Sequence, residues 1–373
     1  MTVDDDDRAA VIALSGLPGI GPSRLRALLG NRSSSAAWAD VCGGRVEVDE
    51  ALAAACRQPP GPAALLERWT TAARGVDPHE LRHRHRAAGV HILCPGDEGW
   101  PSSLVDDPDP PSVLFVLGDP ATLGHSPAVA VVGTRQATRY GLEVARGLGR
   151  GLARAGVAVV SGLAAGIDGA GHHAAIEAAG APPIGVVGCG LDVVYPRGHR
   201  QLWERVAAIG ALASEWPLGT KPAQWRFPAR NRIIAALADA VVIVESPPTG
   251  GSMHTVEEAV RRDRPVLAVP GPVTSRASRG TNRLLADGAV PACDLDDVLV
   301  AVGLGGIEHG TPAVSPPNGD AGRVLDALGW RPATLDQVVL RTGMGLAGVA
   351  RHIAALEAGG WLASDGGWLE RRR

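Results

Sequence analysis

Lysine is almost absent from this chain: Lys221 stands alone among 36 basic residues, and arginine supplies the rest, a compositional bias with no function attached. Phenylalanine and tyrosine are scarce too, two of each against nine tryptophans, so a phenylalanine in charged company needs a reason. The five cysteines (Cys42, Cys56, Cys94, Cys189, Cys293) are odd in number and scattered, with no C-x-x-C pair. That argues against a zinc site or a disulfide framework and fits a reducing cytoplasm. No apolar run reaches the roughly 20 residues that span a bilayer, and the acidic run 4–7 is the opposite of a signal peptide, so no membrane role is expected. A formal net charge of −3 excludes a global basic footprint; any nucleic-acid site must be a local patch.

What is present describes a globular chain. At 373 residues, 45% hydrophobic and 20% charged, it can bury a sizeable core in two or three domains. The stretch 128–141, AVAVVGTRQATRYG, is its centre of organisation. Residues 129–132 are a short apolar run, too few for a helix, and read as a buried parallel strand. Gly133, Thr134 and Arg135 follow, then a helical pattern carrying Leu142, Ala145, Leu148 and Leu152 on one face. A strand that turns through glycine into a helix presents unpaired amides that favour phosphate, and Arg135 adds a guanidinium fork. A plain tight turn with a solvated arginine is the alternative, and a full dinucleotide fingerprint is missing.

From 128 to about 301 strand and helix alternate. Strands are expected at 129–132, 157–161, 183–188, 211–215, 240–245 and 265–269, and helices at 140–155, 168–179, 199–209, 231–238, 252–263 and 294–302. This predicts an α/β domain, helices covering both faces of a mostly parallel sheet, with ligands beyond the strands' carboxyl ends. The loops there share a glycine character: Ser161, Gly162 and Gly166, with Asp168 placed to cap the next helix; Gly188 and Gly190 before Tyr195; and Gly250, Gly251 and Ser252 after Glu245. Between the 211–215 strand and the 231–238 helix runs a patch of Lys221, Arg226, Arg230 and Arg232 interleaved with Trp225 and Phe227. Cations that track a backbone beside aromatic faces that stack bases are the pattern of a single-strand binder.

The flanks are different. Residues 8–30 read as two short helices around the turn LPGIG, resembling a helix-hairpin-helix that either holds a phosphate or merely joins packed helices. Residues 50–90 look helical, and His79, His83 and His85 are expected on a solvated face, without the second ligand set of a metal site. Short strands are expected at 91–94 and 113–117. Residues 303–320 are rich in glycine and proline and read as a linker. Beyond them, helices near 322–328, 334–342 and 346–358 and a terminal hairpin have the layout of a winged helix, a fold that often reads DNA; poor in basic residues, it makes a weak duplex reader, and a protein-contact or accessory role is the alternative. Ser161, Asp168 and His172 have the residue types of a hydrolytic triad, but no G-x-S-x-G elbow accompanies them; no catalytic residue and no cofactor is expected.

Taken together, GWPSSLVDDPDPPSVLFVLGD, VAVVGTRQATRYG, SGLAAGIDGAGHHAA, GCGLDVVYP, FPARNRIIAALADAVVIVES, GGSMHTVEEA and VPGPVTSRASRGTNRLLADGA resemble the DNA-processing protein A (DprA/Smf) family. The resemblance implies a small helical N-terminal domain of helix-hairpin-helix or SAM-like type (1–90), an extended Rossmann-like doubly wound domain (91–302), the linker (303–320) and a winged helix (321–373). It also implies sequence-independent binding of single-stranded DNA, protection of incoming strands in natural transformation, loading of the RecA recombinase, and a homodimer. Gly133, Thr134 and Arg135 match the family's G-S-R phosphate turn; Phe227, Arg230, Asn231 and Arg232 match F-P-x-R-N-R; Gly250, Gly251 and Ser252 match S-G-S. Ala165 stands where the family has a cation, which predicts weaker or more salt-sensitive binding. A rival likeness is to the lysine-decarboxylase-like phosphoribohydrolases, whose P-G-G-x-G-T-x-x-E is echoed, one residue too long, around Gly250, Gly251, Thr255, Glu257 and Glu258.

Overall fold

The structure, a computed structural model, describes residues 4–305 and 317–372; most of the expected linker lies outside them. The chain divides into two compact units, Met1–Ile307 and Glu308–Arg373.

The first unit opens with helices α1 (Asp5–Ser15), α2 (Pro22–Leu29), α3 (Ser34–Gly43), α4 (Glu50–Ala55), α5 (Pro62–Ala73) and α6 (Pro78–Ala87). Their starts are local chemistry: Asp4, Ser33, Asp49 and Asp77 accept from first-turn amides, and prolines open α2, α5 and α6, where a missing N–H has no partner to lose. Strands follow at β1 (Val90–Leu93), β2 (Leu114–Gly118), β3 (Ala128–Val132), β4 (Ala158–Ser161), β5 (Ile184–Val186), β6 (Ala211–Ser214), β7 (Ala240–Ile243), β8 (Val266–Ala268) and β9 (Val290–Pro291). Between and after them run α7 (Arg139–Arg154), α8 (Ile167–Ala178), α9 (Arg200–Ile209), α10 (Arg226–Leu237), α11 (Met253–Val260), α12 (Arg279–Ala286) and α13 (Leu295–Ala301).

Among the described residues the sheet order is β1-β2-β6-β5-β4-β3-β7-β8-β9. It is parallel from β6 to β9, with β2 antiparallel to both β1 and β6 at one edge. This is the Rossmann-like doubly wound sheet expected from the alternation. β3 is buried along its whole length, which is why its sequence is continuously apolar. Helices α3 and α12 and strand β9 were not expected. Helix α10 begins at Arg226, not 231, so Phe227 and Arg230 stand on its first turns rather than in a loop; Pro228 is tolerated there because first-turn amides have no helical partner.

The helical module and the sheet share one apolar core, in which Leu14, Leu28 and Trp69 join Phe115, Trp203 and Leu212. Polar bolts reinforce it. The Arg8 guanidinium donates to both Asp97 oxygens at 2.6 Å and to Ile92 O at 2.7 Å. Of the three histidines expected on a solvated face, His79 and His83 are exposed but His85 is buried. Its Nδ1–H donates to Leu81 O (2.8 Å), its Nε2 accepts from the Leu218 amide (3.0 Å), and its ring lies 5.1 Å from Phe115. Burial accordingly lowers its pKa.

The second unit, described by itself, contains α14 (Gly319–Leu328), β10 (Ala333–Thr334), α15 (Leu335–Thr342), α16 (Leu346–Ala358), β11 (Leu362–Asp365) and β12 (Trp368–Arg371), with sheet order β10-β12-β11. This is the expected winged helix, built on its own core of Val324, Leu325, Leu328, Val338, Val349 and Leu356.

Helix α10 is fixed by a buried ion pair. Arg232 donates through both Nη atoms to Glu215 at 2.6 Å, with the two side chains 5% and 6% exposed, and its Nε reaches Asp109 at 3.1 Å. Burial pushes the Glu215 carboxyl up against the pull of Arg232. Arg232→Ala should therefore cost about 3–5 kcal/mol of stability, the penalty of a buried carboxylate left alone. Urea denaturation measures it, and a loss below about 1 kcal/mol would show that the pair is dispensable.

Candidate nucleic-acid interface

β3 is the switch point of the sheet. The chain builds outward from it through β4 and β5 to β6, then returns to place β7 and β8 on its other side. The loops leaving β3 and β7 diverge and open the crevice in which such sheets bind ligands. A cavity of about 390 Å³ lies there, and Gly133, Thr134, Arg135, Phe227, Arg230, Asn231, Gly250, Gly251 and Ser252 all line it. Residues far apart in sequence and expected to act together are thus brought together.

The remaining expected residues stand elsewhere. Gly162 lines an adjoining recess shared with Arg135, Phe227 and Arg230. Gly166 has φ +83°, and a Cβ there would sit 2.3 Å from Thr134 O, so glycine lets the turn after β4 close on the turn after β3. Ser161 is fully buried. Lys221 is exposed and outside the cavity wall, its carbonyl taken by the Arg226 guanidinium. Arg232, expected at the pocket border, is in the core with Glu215. On a helix, positions 230 and 232 point about 200° apart, so both cannot face one cavity.

Arg230 is the buried cation of the site. Its Nη1 donates to Val186 O and its Nε to Asn231 Oδ1 at 2.9 Å. The guanidinium lies against Gly162, where a Cβ would come within 1.8 Å of it. Burial lowers its pKa to about 10, against the pull of Asp168, so it stays charged at neutral pH. Asp168 does not cap α8 as expected; Gly166 occupies that position, and the carboxylate accepts from the Gly162 amide at 3.1 Å. Burial pushes the Asp168 carboxyl up, while Arg230 and neighbouring amides pull it down. No ion pair joins the two among the described residues; each acts on the other through its field.

Arg135 supplies a second cation at the mouth. It is exposed, forms no ion pair among the described residues, and its guanidinium carbon lies 4.8 Å from the Phe227 centroid. The acids near it are engaged: Glu245 accepts from the Thr138 amide (2.9 Å) and hydroxyl (2.5 Å). Thr134 serves the turn itself, its amide donating to Glu245 O at 2.7 Å and its hydroxyl accepting from the Gln136 amide at 3.2 Å. Phe227 is half-buried and stacks on Tyr195, centroids 5.2 Å apart. The part played by Tyr195 was missed; as one of two tyrosines in a glycine-flanked loop after a strand, it carried a signal.

Residues 91–303 match the family model of DNA recombination-mediator protein A. The chain belongs to the DprA/Smf family. Residues 308–367 match the family's winged helix domain. The putative DNA processing protein DprA of Mycobacterium tuberculosis is 41% identical over 79% of this chain and 80% of its own. The solved DNA processing protein A of Streptococcus pneumoniae superposes with a TM-score of 0.63 at 29% identity, over 80% of this chain and 98% of that one. That of Helicobacter pylori, described for its single-stranded DNA binding mode, gives 0.52 at 30% identity, over 57% and 94%.

Within the family's sheet, Ser161 and His172 act as a strut. His172 Nε2 lies 3.2 Å from Ile184 O, which only accepts, so Nε2 carries the proton and Nδ1 accepts from Ser161 Oγ at 2.8 Å. Glu257 and Glu258, the carboxylates of the phosphoribohydrolase echo, are not in the cavity wall; they pair with His254 and with Arg261 and Arg262. Burial lowers the His172 pKa to about 4 from an ordinary 6.5. Between those values the unfolded chain binds the extra proton, so stability falls as pH drops from about 6.5 to about 4 and levels off below. Urea denaturation across that range should show the slope, and His172→Gln should reduce it; an unchanged slope would place the proton uptake at other groups.

Proposed function

We propose that the protein binds single-stranded DNA without sequence preference in the crevice beside β3, protects incoming strands, and loads RecA onto them during transformation or recombination. It does so without catalysis, as a cytoplasmic homodimer, with the winged helix as a protein-contact module. The functional modules are taken as 1–90, 91–302 and 321–373, joined by a linker at 303–320. The observation that carries the reading is Arg135, an exposed guanidinium free of ion pairs among the described residues, poised over Phe227 at the mouth of a glycine-lined cavity. A phosphate can be met there by a fork and by backbone amides while a base stacks on the ring. The ssDNA-binding relative from Helicobacter pylori supports the same ligand.

Fluorescence anisotropy with matched single and double strands tests this. The single strand should bind more tightly, with affinity falling as salt rises; equal, salt-independent affinities would refute the reading. Phe227→Ala should weaken single-strand binding by roughly 1–3 kcal/mol. Arg135→Ala should reduce the salt slope by about 0.7, one phosphate's share, with little change in melting temperature, and Arg135→Lys should recover only part. A large melting shift with an unchanged slope would make Arg135 structural. Because the two side chains touch, their double variant should fall short of the sum. Failure to speed RecA-driven strand exchange would remove the loading role.

A further inference from the structure

We propose that the strand leaving the Phe227 cavity crosses a second stacking platform, the indole of Trp225, backed by the glycine hairpin of the helical module. The inference rests on the single-strand reading and extends it to nucleotides outside the cavity. Trp225 is the residue that opens α10, two positions before Phe227. Their Cα atoms are therefore at most ~7 Å apart, and because side chains two positions apart on a helix point about 200° apart, a strand that meets both rings crosses the N-terminal end of α10.

Trp225 is 49% exposed, yet its ring is held from several sides. Trp216 meets it edge-on, centroids 6.2 Å apart at 76°. The Arg226 guanidinium carbon lies 5.0 Å from its centroid and 5.8 Å from that of Trp216. Gly21 packs against it, where a Cβ would make ordinary contact at 3.5 Å from the ring. A large aromatic fixed in this way loses little freedom when a base stacks on it. One cation lies against it, and a second stands a few residues before it in the chain. Arg226 reaches back to Lys221 O, and its buried Nε has no hydrogen-bond partner among the described residues. Lys221 is exposed and forms no ion pair among the described residues. A rigid aromatic face beside a cation is the chemistry of a base-tolerant single-strand contact. The hairpin contributes backing rather than charge: Arg24 donates to Gly19 O (2.7 Å) and Ala55 O (3.1 Å), and Arg26 to Pro110 O (2.9 Å) with Asp109 as its ion partner.

The test titrates oligothymidylates of increasing length into the full chain and its Trp225→Ala, Trp225→Phe and Phe227→Ala variants, reading anisotropy and tryptophan emission together. Trp225→Ala should keep the affinity for the shortest oligonucleotide bound and lose the gain from lengthening, about five- to hundredfold on the longest, the worth of one base–aromatic stack. Trp225→Phe should retain most of that gain, whereas Phe227→Ala should weaken every length. Long oligonucleotides should quench the wild type more than Trp225→Phe, a readout that does not depend on the alanine variant folding. Equal quenching in the two, with any folded Trp225→Ala keeping the wild-type length dependence, would overturn the platform alone. A wild type that binds no oligonucleotide at low salt would overturn it together with the single-strand reading.

Discussion

A guanidinium buried at the carboxyl edge of a parallel sheet is the constraint on which the site depends. An ion taken out of water costs several kcal/mol unless partners replace its hydration. Arg230 meets that demand with the Val186 carbonyl, Asn231 and the field of Asp168. The partners in turn fasten other segments. Asp168 holds the turn at Gly162, and Asn231 reaches Gly251 O at 3.2 Å. One buried charge thus ties the loops after β4, β5 and β7 to the first turns of α10. Two residues on, Arg232 ties the same helix to Glu215 and Asp109. The segment presenting Trp225 and Phe227 is held at one face by the hydrogen bonds of Arg230 and at the other by the ion pairs of Arg232.

The electrostatics of the cavity follow from this. Its buried cation lies in the field of Asp168. Positive potential for an anion comes from one exposed arginine, from backbone amides, and from the helix that opens after Ser252. This reconciles a chain of net charge −3 with the proposed anion site.

Much of this was legible in the sequence, because its signals are local. The apolar run of β3, the glycine turns after successive strands, the alternation of strand and helix and the terminal hairpin each depend on neighbouring residues. What stayed hidden depends on direction. The string FPARNR does not say which arginine faces the cavity, and Pro228 disguises the first turn of α10 as loop, so the opposed orientations of Arg230 and Arg232 were lost. His85 was misjudged for a similar reason: its partners Leu218 and Phe115 come from the sheet domain, over a hundred residues away for the former. Lys221 was grouped with the cavity by sequence proximity, whereas its side chain lies outside it.

The clasp between Thr138 and Glu245 spans 107 residues, and it joins the two halves of the sheet at the crevice. No contiguous fragment short of that span contains the cavity, and during synthesis β3 must wait for β7 before its second edge is covered. Local unfolding of either half therefore abolishes the site, and an occupant engages both halves at once. Occupancy consequently adds its mass-action term to the stability of the whole sheet rather than to one loop. The empty cavity then marks the less stable form, and so the one more open to proteolysis.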